Sequence, residues 1–255
     1  MAFKKRLVAS ILVKDGIAVQ SFGYKDYLPI GNPVILAENL DRWGVDEIVI
    51  LSIDSTKKGI DPDLLLLSEI SKRVNTPIAY GGGIKNLKNV LDVIHSGADR
   101  IIIDQMYFQN PSQIKMVSES IGSQAVILSL PCSVYDGKIS HYNYISKKSE
   151  VVDFHSLPFM KEFIASEFLL IDHIHEGKPN SFSEEMVKFF PNDISIICFG
   201  GISNSKQVER LLQNQNVVGV CIGNFLNYKE HYFQNIKLEL SSSLLRNPIF
   251  ESYQF

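Results

Sequence analysis

The chain has 255 residues, 45% of them hydrophobic, and a formal net charge of −3. That length suits one large barrel or two small domains, and the composition supplies a sizeable core. The slightly acidic balance gives no electrostatic surface for nucleic acid or membrane, and no apolar run reaches the roughly 18–20 residues of a membrane span.

The first residues, MAFKKRLVASILVKDG, are basic and then apolar, as in a secretory signal. Their apolar stretch holds only about seven residues and runs into Lys14-Asp15-Gly16 without a small-residue cleavage site, so it reads as a buried first strand, Leu7–Val13. Further strands are expected at Glu47–Ser52, Ile78–Tyr80, Arg100–Ile103, Ala125–Leu130, Glu167–Ile171, Ile194–Phe199 and Val217–Ile222. Most are too continuously apolar to have a solvent face, as parallel strands covered by helices should be. Helices are expected between them at Pro33–Arg42, Pro62–Arg73, Leu87–Ser96, Ser112–Ser120 and Ser205–Leu212. Eight alternations of strand and helix favour a closed (β/α)8 TIM barrel over an open doubly wound sheet. No linker divides the chain, so residues 1–255 read as one barrel domain. The three cysteines, Cys132, Cys198 and Cys221, form no Cys-x-x-Cys pair. They point to reduced, buried thiols in a cytoplasmic protein, with no metal or other cofactor.

The two halves of the chain echo each other. Val13-Lys14-Asp15-Gly16 returns as Val134-Tyr135-Asp136-Gly137, and Gly82-Gly83-Ile84 returns as Gly200-Gly201-Ile202, with Asn86 and Asn204 each two residues further on. Gly97–Ile101 corresponds more loosely to Asn216–Val220. Three echoes in the same order indicate a duplicated half-barrel. Each Gly-Gly pair follows a strand and opens a helix, where backbone N–H groups and the helix dipole can close on an anion. Gly200, Gly201, Gly223, Asn224 and Gly177 can form one phosphate cradle in the position barrels commonly use. Gly82 and Gly83 would form a second, half a barrel away. Two opposed cradles suit a long substrate with a phosphate at each end; the plainer reading is tight turns with no ligand.

Side-chain alternation predicts what faces the barrel axis. Arg6 shares a face with Val8, Ser10 and Leu12; Glu47 with Val49 and Leu51; Arg100 with Ile102 and Asp104; Glu167 with Leu169 and Ile171. Arg6, Glu47, Arg100 and Glu167 therefore start four strands with one parity, and can form a neutral ionic ring at the barrel bottom. Unpaired, such buried charges would be costly. Continued past strand six, the same parity puts His173 and His175 on the inward face. A His-x-His pair suits a metal or proton transfer, but no third ligand follows, so a polar lining of the mouth is the plainer role. His141 and His155 read as surface residues, and Glu176, beside Gly177, takes a loop role from the family resemblance set out next.

With these residues in hand, the chain resembles the cyclase (HisF-type) subunit of imidazole glycerol phosphate synthase over nearly its whole length. The matching motifs are Val13–Gly16, Gly44-Val45-Asp46-Glu47, Gly81–Ile84, Gly97-Ala98-Asp99, Asn110-Pro111-Ser112, Gly122–Val126 and Asp136-Gly137. The resemblance implies a class I (HisH-like) glutaminase docked on the N-terminal barrel face. It also implies passage of ammonia through the barrel, and amination, cleavage and cyclisation of a two-phosphate ribonucleotide at the C-terminal face. The four-charge ring corresponds to the family's ammonia gate, with Arg100 in place of a lysine. The chain departs from the family at both catalytic aspartates, which are Leu12 and Pro131 here; neither can move protons. Asp15 and Asp136 sit in the following turns and do not replace them. A substrate-contacting lysine is Gln20, and an asparagine at the first phosphate site is Asp104, whose charge would repel phosphate.

The parts for receiving ammonia are thus expected to persist where the parts for the chemistry are lost. That pattern resembles a HisF-like branch associated with surface-polysaccharide synthesis, in which ammonia goes to a separate sugar amidotransferase. Two other readings stay open: a genuine cyclase subunit of histidine biosynthesis with relocated acid–base groups, His173 or Asp104 among them, and a scaffold without activity that binds a glutaminase.

Overall fold

A computed structural model of the chain describes residues 4–156, 164–227, 231–240 and 244–246. Its strands are β1 (Arg6–Lys14), β2 (Ile17–Phe22), β3 (Asp26–Gly31), β4 (Glu47–Ser52), β5 (Ile78–Gly81), β6 (Arg100–Ile103), β7 (Val126–Tyr135), β8 (Lys138–Asn143), β9 (Lys148–Val151), β10 (Glu167–Asp172), β11 (Ile196–Phe199) and β12 (Val217–Ile222). Eight of them pair in parallel in the order β1-β4-β5-β6-β7-β10-β11-β12, and β12 returns to β1 with Arg6 opposite Gly219. This is the closed (β/α)8 barrel expected from the alternation of apolar runs and amphipathic stretches.

The eight barrel strands are buried on both faces, and parity separates two cores. Leu7, Ala9, Ile11, Ile48, Ile50 and Tyr80 point outward into the layer between barrel and helices. Val8, Leu12, Val49, Ala79, Ile102, Ile127, Leu169, Ile197 and Cys221 fill the interior. All three cysteines are free and buried. Among the outer helices are Pro33–Arg42, Leu64–Ser71, Leu87–His95, Pro111–Ile121, Ser205–Gln213 and Tyr232–Glu239. Proline at the first turn and a basic last turn suit Pro33–Arg42, since the ring removes an N–H that has no helical partner and Arg42 meets the negative dipole end.

The half-barrel echoes have structural counterparts. Asn86 and Asn204 are both helix N-caps, their side chains accepting from Asn89 N and Gln207 N at 2.9 Å each. Asp15-Gly16 and Asp136-Gly137 are two-residue hairpin turns with all four φ angles positive, 51°, 76°, 50° and 67°. That is the type I′ geometry that matches strand twist. The sequence reading placed these residues in loops. The structure instead carries β1 on into β2–β3 and β7 on into β8–β9, two antiparallel extensions standing on the first and fifth barrel strands.

At the opposite rim the helix Tyr232–Glu239 is anchored by a buried ion pair. Lys237, with its side chain 1% exposed, bonds Asp46 Oδ1 at 2.8 Å and Gly44 O at 2.7 Å, and Asp46 Oδ2 accepts from Leu7 N at 2.8 Å. Among the described residues no helix is long and apolar enough to cross a membrane.

Candidate functional site

The barrel has two chemically distinct ends. At the N-terminal end the four first-residue charges meet in a closed ring. Arg6 bonds Glu47 at 3.1 Å and Glu167 at 2.5 Å, and Arg100 bonds the same two carboxylates at 3.2 and 2.8 Å. Glu47 is 2% exposed, and burial pushes its carboxyl above the ordinary range against the pull of Arg6 and Arg100. The Arg100 guanidinium also donates to Gln124 O and to Ser166 Oγ, which with the two carboxylates makes four partners against the three donors of an ammonium.

At the C-terminal end lies a cavity of about 530 Å³. Its floor includes Leu51, Ile102, Ser129, Pro131 and Ile171, and its walls include Phe22 at the end of β2, Tyr24 just after it, and Tyr142 and Tyr144 from the β8–β9 arm. The two Asp-Gly turns thus bring aromatic side chains over the barrel mouth. Pro131 faces this cavity, while Leu12, 4% exposed, belongs to the interior beneath it. Gln20 is buried on β2.

Asp104 follows β6 at the cavity wall. It accepts from Gln105 Nε2 at 3.1 Å and from the Tyr144 hydroxyl, and burial pushes its carboxyl up to about 7. Glu176 is 2% exposed and accepts from Ser21 Oγ at 2.9 Å and Tyr24 N at 3.3 Å; burial pushes it, too, up to about 7. It is built into the fold rather than carried on an open loop.

Gly177, Gly200, Gly201, Gly223 and Asn224 converge on a small concavity that shares Glu176 with the main cavity. Gly200 and Gly201 have φ of 103° and 73°, and a Cβ on Gly201 would lie 2.9 Å from His175 O and Phe182 N. The Asn224 side chain is already committed, accepting from Ser21 N at 3.2 Å and donating to Ser21 O at 2.6 Å. Half a barrel away, Gly82 lines the main cavity, while the Gly83 N–H donates to Thr56 Oγ1 at 3.1 Å.

Two of the histidines, His175 and His141, depart from the sequence reading. β10 ends at Asp172, so residues 173–177 form a turn and strand parity stops short of them. His173 lines the cavity, stacked on Tyr142 with ring centroids 4.3 Å apart, whereas His175 Nδ1 is bound to buried Asp172 at 2.8 Å. His141, expected at the surface, is 5% exposed because β8 lies back against β7, and burial lowers its pKa to about 4. His155 is exposed. Among the described residues no three His, Cys, Asp or Glu side chains gather as a metal site.

The profile of the family described as "Histidine biosynthesis protein" matches residues 6–232. The chain belongs to the HisF family of histidine biosynthesis proteins. It is 30% identical over 254 residues to the imidazole glycerol phosphate synthase subunit HisF of Staphylococcus saprophyticus subsp. saprophyticus (strain ATCC 15305), covering 96% of this chain and 98% of that one. It is 28% identical to the protein of the same name in Staphylococcus aureus (strain Newman), over 92% of this chain and 95% of the relative. A Vibrio vulnificus (strain YJ016) protein provisionally named imidazole glycerol phosphate synthase subunit hisF2 is 28% identical, over 95% and 90%. In this HisF-family chain, sequence reasoning missed Tyr24, Tyr142 and Tyr144 at the mouth. The signal for them was the hairpin chemistry of Asp-Gly flanked by apolar residues, which sends the chain back over the barrel.

Proposed function

We propose that this protein is the ammonia-conducting subunit of a glutamine amidotransferase complex. A class I, HisH-like glutaminase docks on its N-terminal face, and ammonia leaves at the mouth for a separate acceptor enzyme, a sugar amidotransferase of surface-polysaccharide (O-antigen type) synthesis. The observation that carries this reading is an asymmetry. The four-charge ring is complete, whereas Leu12 and Pro131 stand where the resemblance requires proton-transferring aspartates. Between ring and mouth the interior is lined by Val8, Val49, Ala79, Ile127, Leu169 and Ile197, surroundings that favour neutral ammonia over any ion. The glycine concavity around Gly200 and Gly201 is kept as a phosphate cradle.

The decisive experiment supplies purified protein with saturating ammonium and the family's two-phosphate ribonucleotide. The expected result is no product beside an active HisF control. Product formation would overturn the reading. It would favour a cyclase subunit of imidazole glycerol phosphate synthase, for which the near-full-length HisF similarity and the two mouth carboxyls, Asp104 and Glu176, speak. If the conduit operates, Glu167→Gln leaves the glutaminase bound but lets ammonia escape to bulk solvent, measured as glutamine consumed against ammonia captured by the acceptor.

A further inference from the structure

Tyr24 combines two costs in one residue. It stands in the turn between β2 and β3 with φ of 54°, a left-handed conformation that a bulky side chain rarely adopts. The residue is half-buried, yet its hydroxyl is wholly buried and has no hydrogen-bond partner. The ring therefore enters from the surface, tip first. Buried polar groups ordinarily have partners, and a strained residue persists only where its surroundings over-determine it. Here the surroundings grip the backbone. The Tyr24 N–H donates to Ser21 Oγ at 3.2 Å and to Glu176 Oε2 at 3.3 Å, and Tyr24 O accepts from the Tyr27 hydroxyl at 2.6 Å. The neighbouring Gly23 N–H donates to Glu176 O at 3.0 Å. The turn is fixed, and the unsatisfied group is the side-chain tip.

That tip lies across the barrel axis. The Tyr24 ring packs against the interior cluster that includes Val8, Leu12, Val49 and Cys221. Burial holds the hydroxyl well above its ordinary pKa, with Glu176, Cys221, Tyr27 and Asp104 adding to the effect. Cys221 faces the interior from β12, and Asp104 follows β6, half the circuit of parallel strands away. A hydroxyl within electrostatic reach of both stands between them. Tyr24 also lines the mouth cavity, so it separates the apolar interior below from the open space above.

We infer that Tyr24 is a stopper at the exit of the barrel interior, and that its side chain withdraws when a solute passes into the mouth cavity. Withdrawal is a rotation of one side chain on a held backbone, and it returns the hydroxyl to water. The stopper takes its purpose from the ammonia conduction proposed above. Its closure is a property of the chain alone, so either reading can fail without the other.

Cys221 supplies the reporter. It is 0% exposed and faces the interior, whereas Cys132 and Cys198 belong to the layer between barrel and helices. The full chain is treated with methyl methanethiosulfonate, a small uncharged thiol reagent, and modification of each cysteine is timed by peptide mass spectrometry. Tyr24→Ala, which removes the stopper, is expected to speed modification of Cys221 at least about tenfold. Tyr24→Phe keeps the ring and has no hydroxyl to leave unpaired, so it favours the closed state. It is expected to slow Cys221 below wild type by about fivefold. Cys132 and Cys198 should keep their wild-type rates in both variants. The inference is overturned by a Cys221 rate that Tyr24→Ala leaves unchanged, or by a Tyr24→Phe rate equal to or above wild type. It is also overturned if all three cysteines speed up together, or if wild-type Cys221 never reacts.

Discussion

Glu176 shows how much a single buried carboxyl can weigh. It ties Ser21 and Tyr24, at the start of the mouth's tyrosine wall, to the turn after β10. Its folded pKa of about 7 lies above the ordinary 4.5, so the folded state holds the proton more tightly than the unfolded chain. The stability from this group is therefore complete below about pH 4.5 and is lost as pH rises through about 7, by up to about 3 kcal/mol. Asp104 acts in the same direction. Urea unfolding from about pH 5 to about pH 8 should show a falling stability that Glu176→Gln flattens. An unchanged slope in the variant would place the dependence elsewhere. At this scale the sequence was most legible where strand parity held. Arg6, Glu47, Arg100 and Glu167 meet because each begins a barrel strand. His175 was misread because parity was extended past Asp172, where the strand has ended and the chain turns. Asn224 is adjacent to the cradle as expected, but its amide is spent on Ser21, a long-range partner that spacing does not reveal.

At the scale of elements, the twin hairpins explain most of the difference between sequence and structure. Apolar runs placed Glu47–Ser52 and Val217–Ile222 residue for residue, since a strand buried on both faces leaves a continuous signature. The run expected at Ala125–Leu130 extends to Tyr135 because Asp136-Gly137 returns the chain along its own edge. Both turn glycines have open space around a would-be Cβ, so a substitution there meets backbone strain alone. Gly16→Ala and Gly137→Ala should each lower stability by about 1 kcal/mol in chemical denaturation. Gly201→Ala, with its Cβ forced against backbone, should lose clearly more than either turn variant. Equal losses at the three positions would mean that φ strain, and not close approach, fixes the cradle glycine.

The whole molecule is held shut by contacts between its first and last elements. The barrel itself was legible from eight strand–helix alternations, because a parallel sheet of that number in this length has one economical closure. The pair Lys237–Asp46 was not: Asp46 stands in the Gly44–Glu47 motif, but Lys237 stands in none, and the contact joins a surface helix to the loop before β4. Lys237→Met leaves Asp46 buried and unpaired, and should cost about 3 kcal/mol in urea unfolding. Asp46→Asn added to it should restore part of that loss; a double variant no better than the single would mean that Lys237 acts by packing alone.

The closure of β12 on β1 also has a consequence in time. A polypeptide leaves the ribosome N-terminus first, so β1 emerges with one edge that Val217–Ile222 alone completes. Asp46 likewise emerges long before its ammonium partner at position 237. Until both arrive, an apolar strand edge and an unneutralised carboxylate are open to other chains, the condition under which β-structure aggregates. A nascent chain stalled ahead of residue 217 should be digested readily by protease, and become resistant only once the helix Tyr232–Glu239 has cleared the exit tunnel. Birth of this barrel is thus governed by its final elements, whatever order its strands take in space.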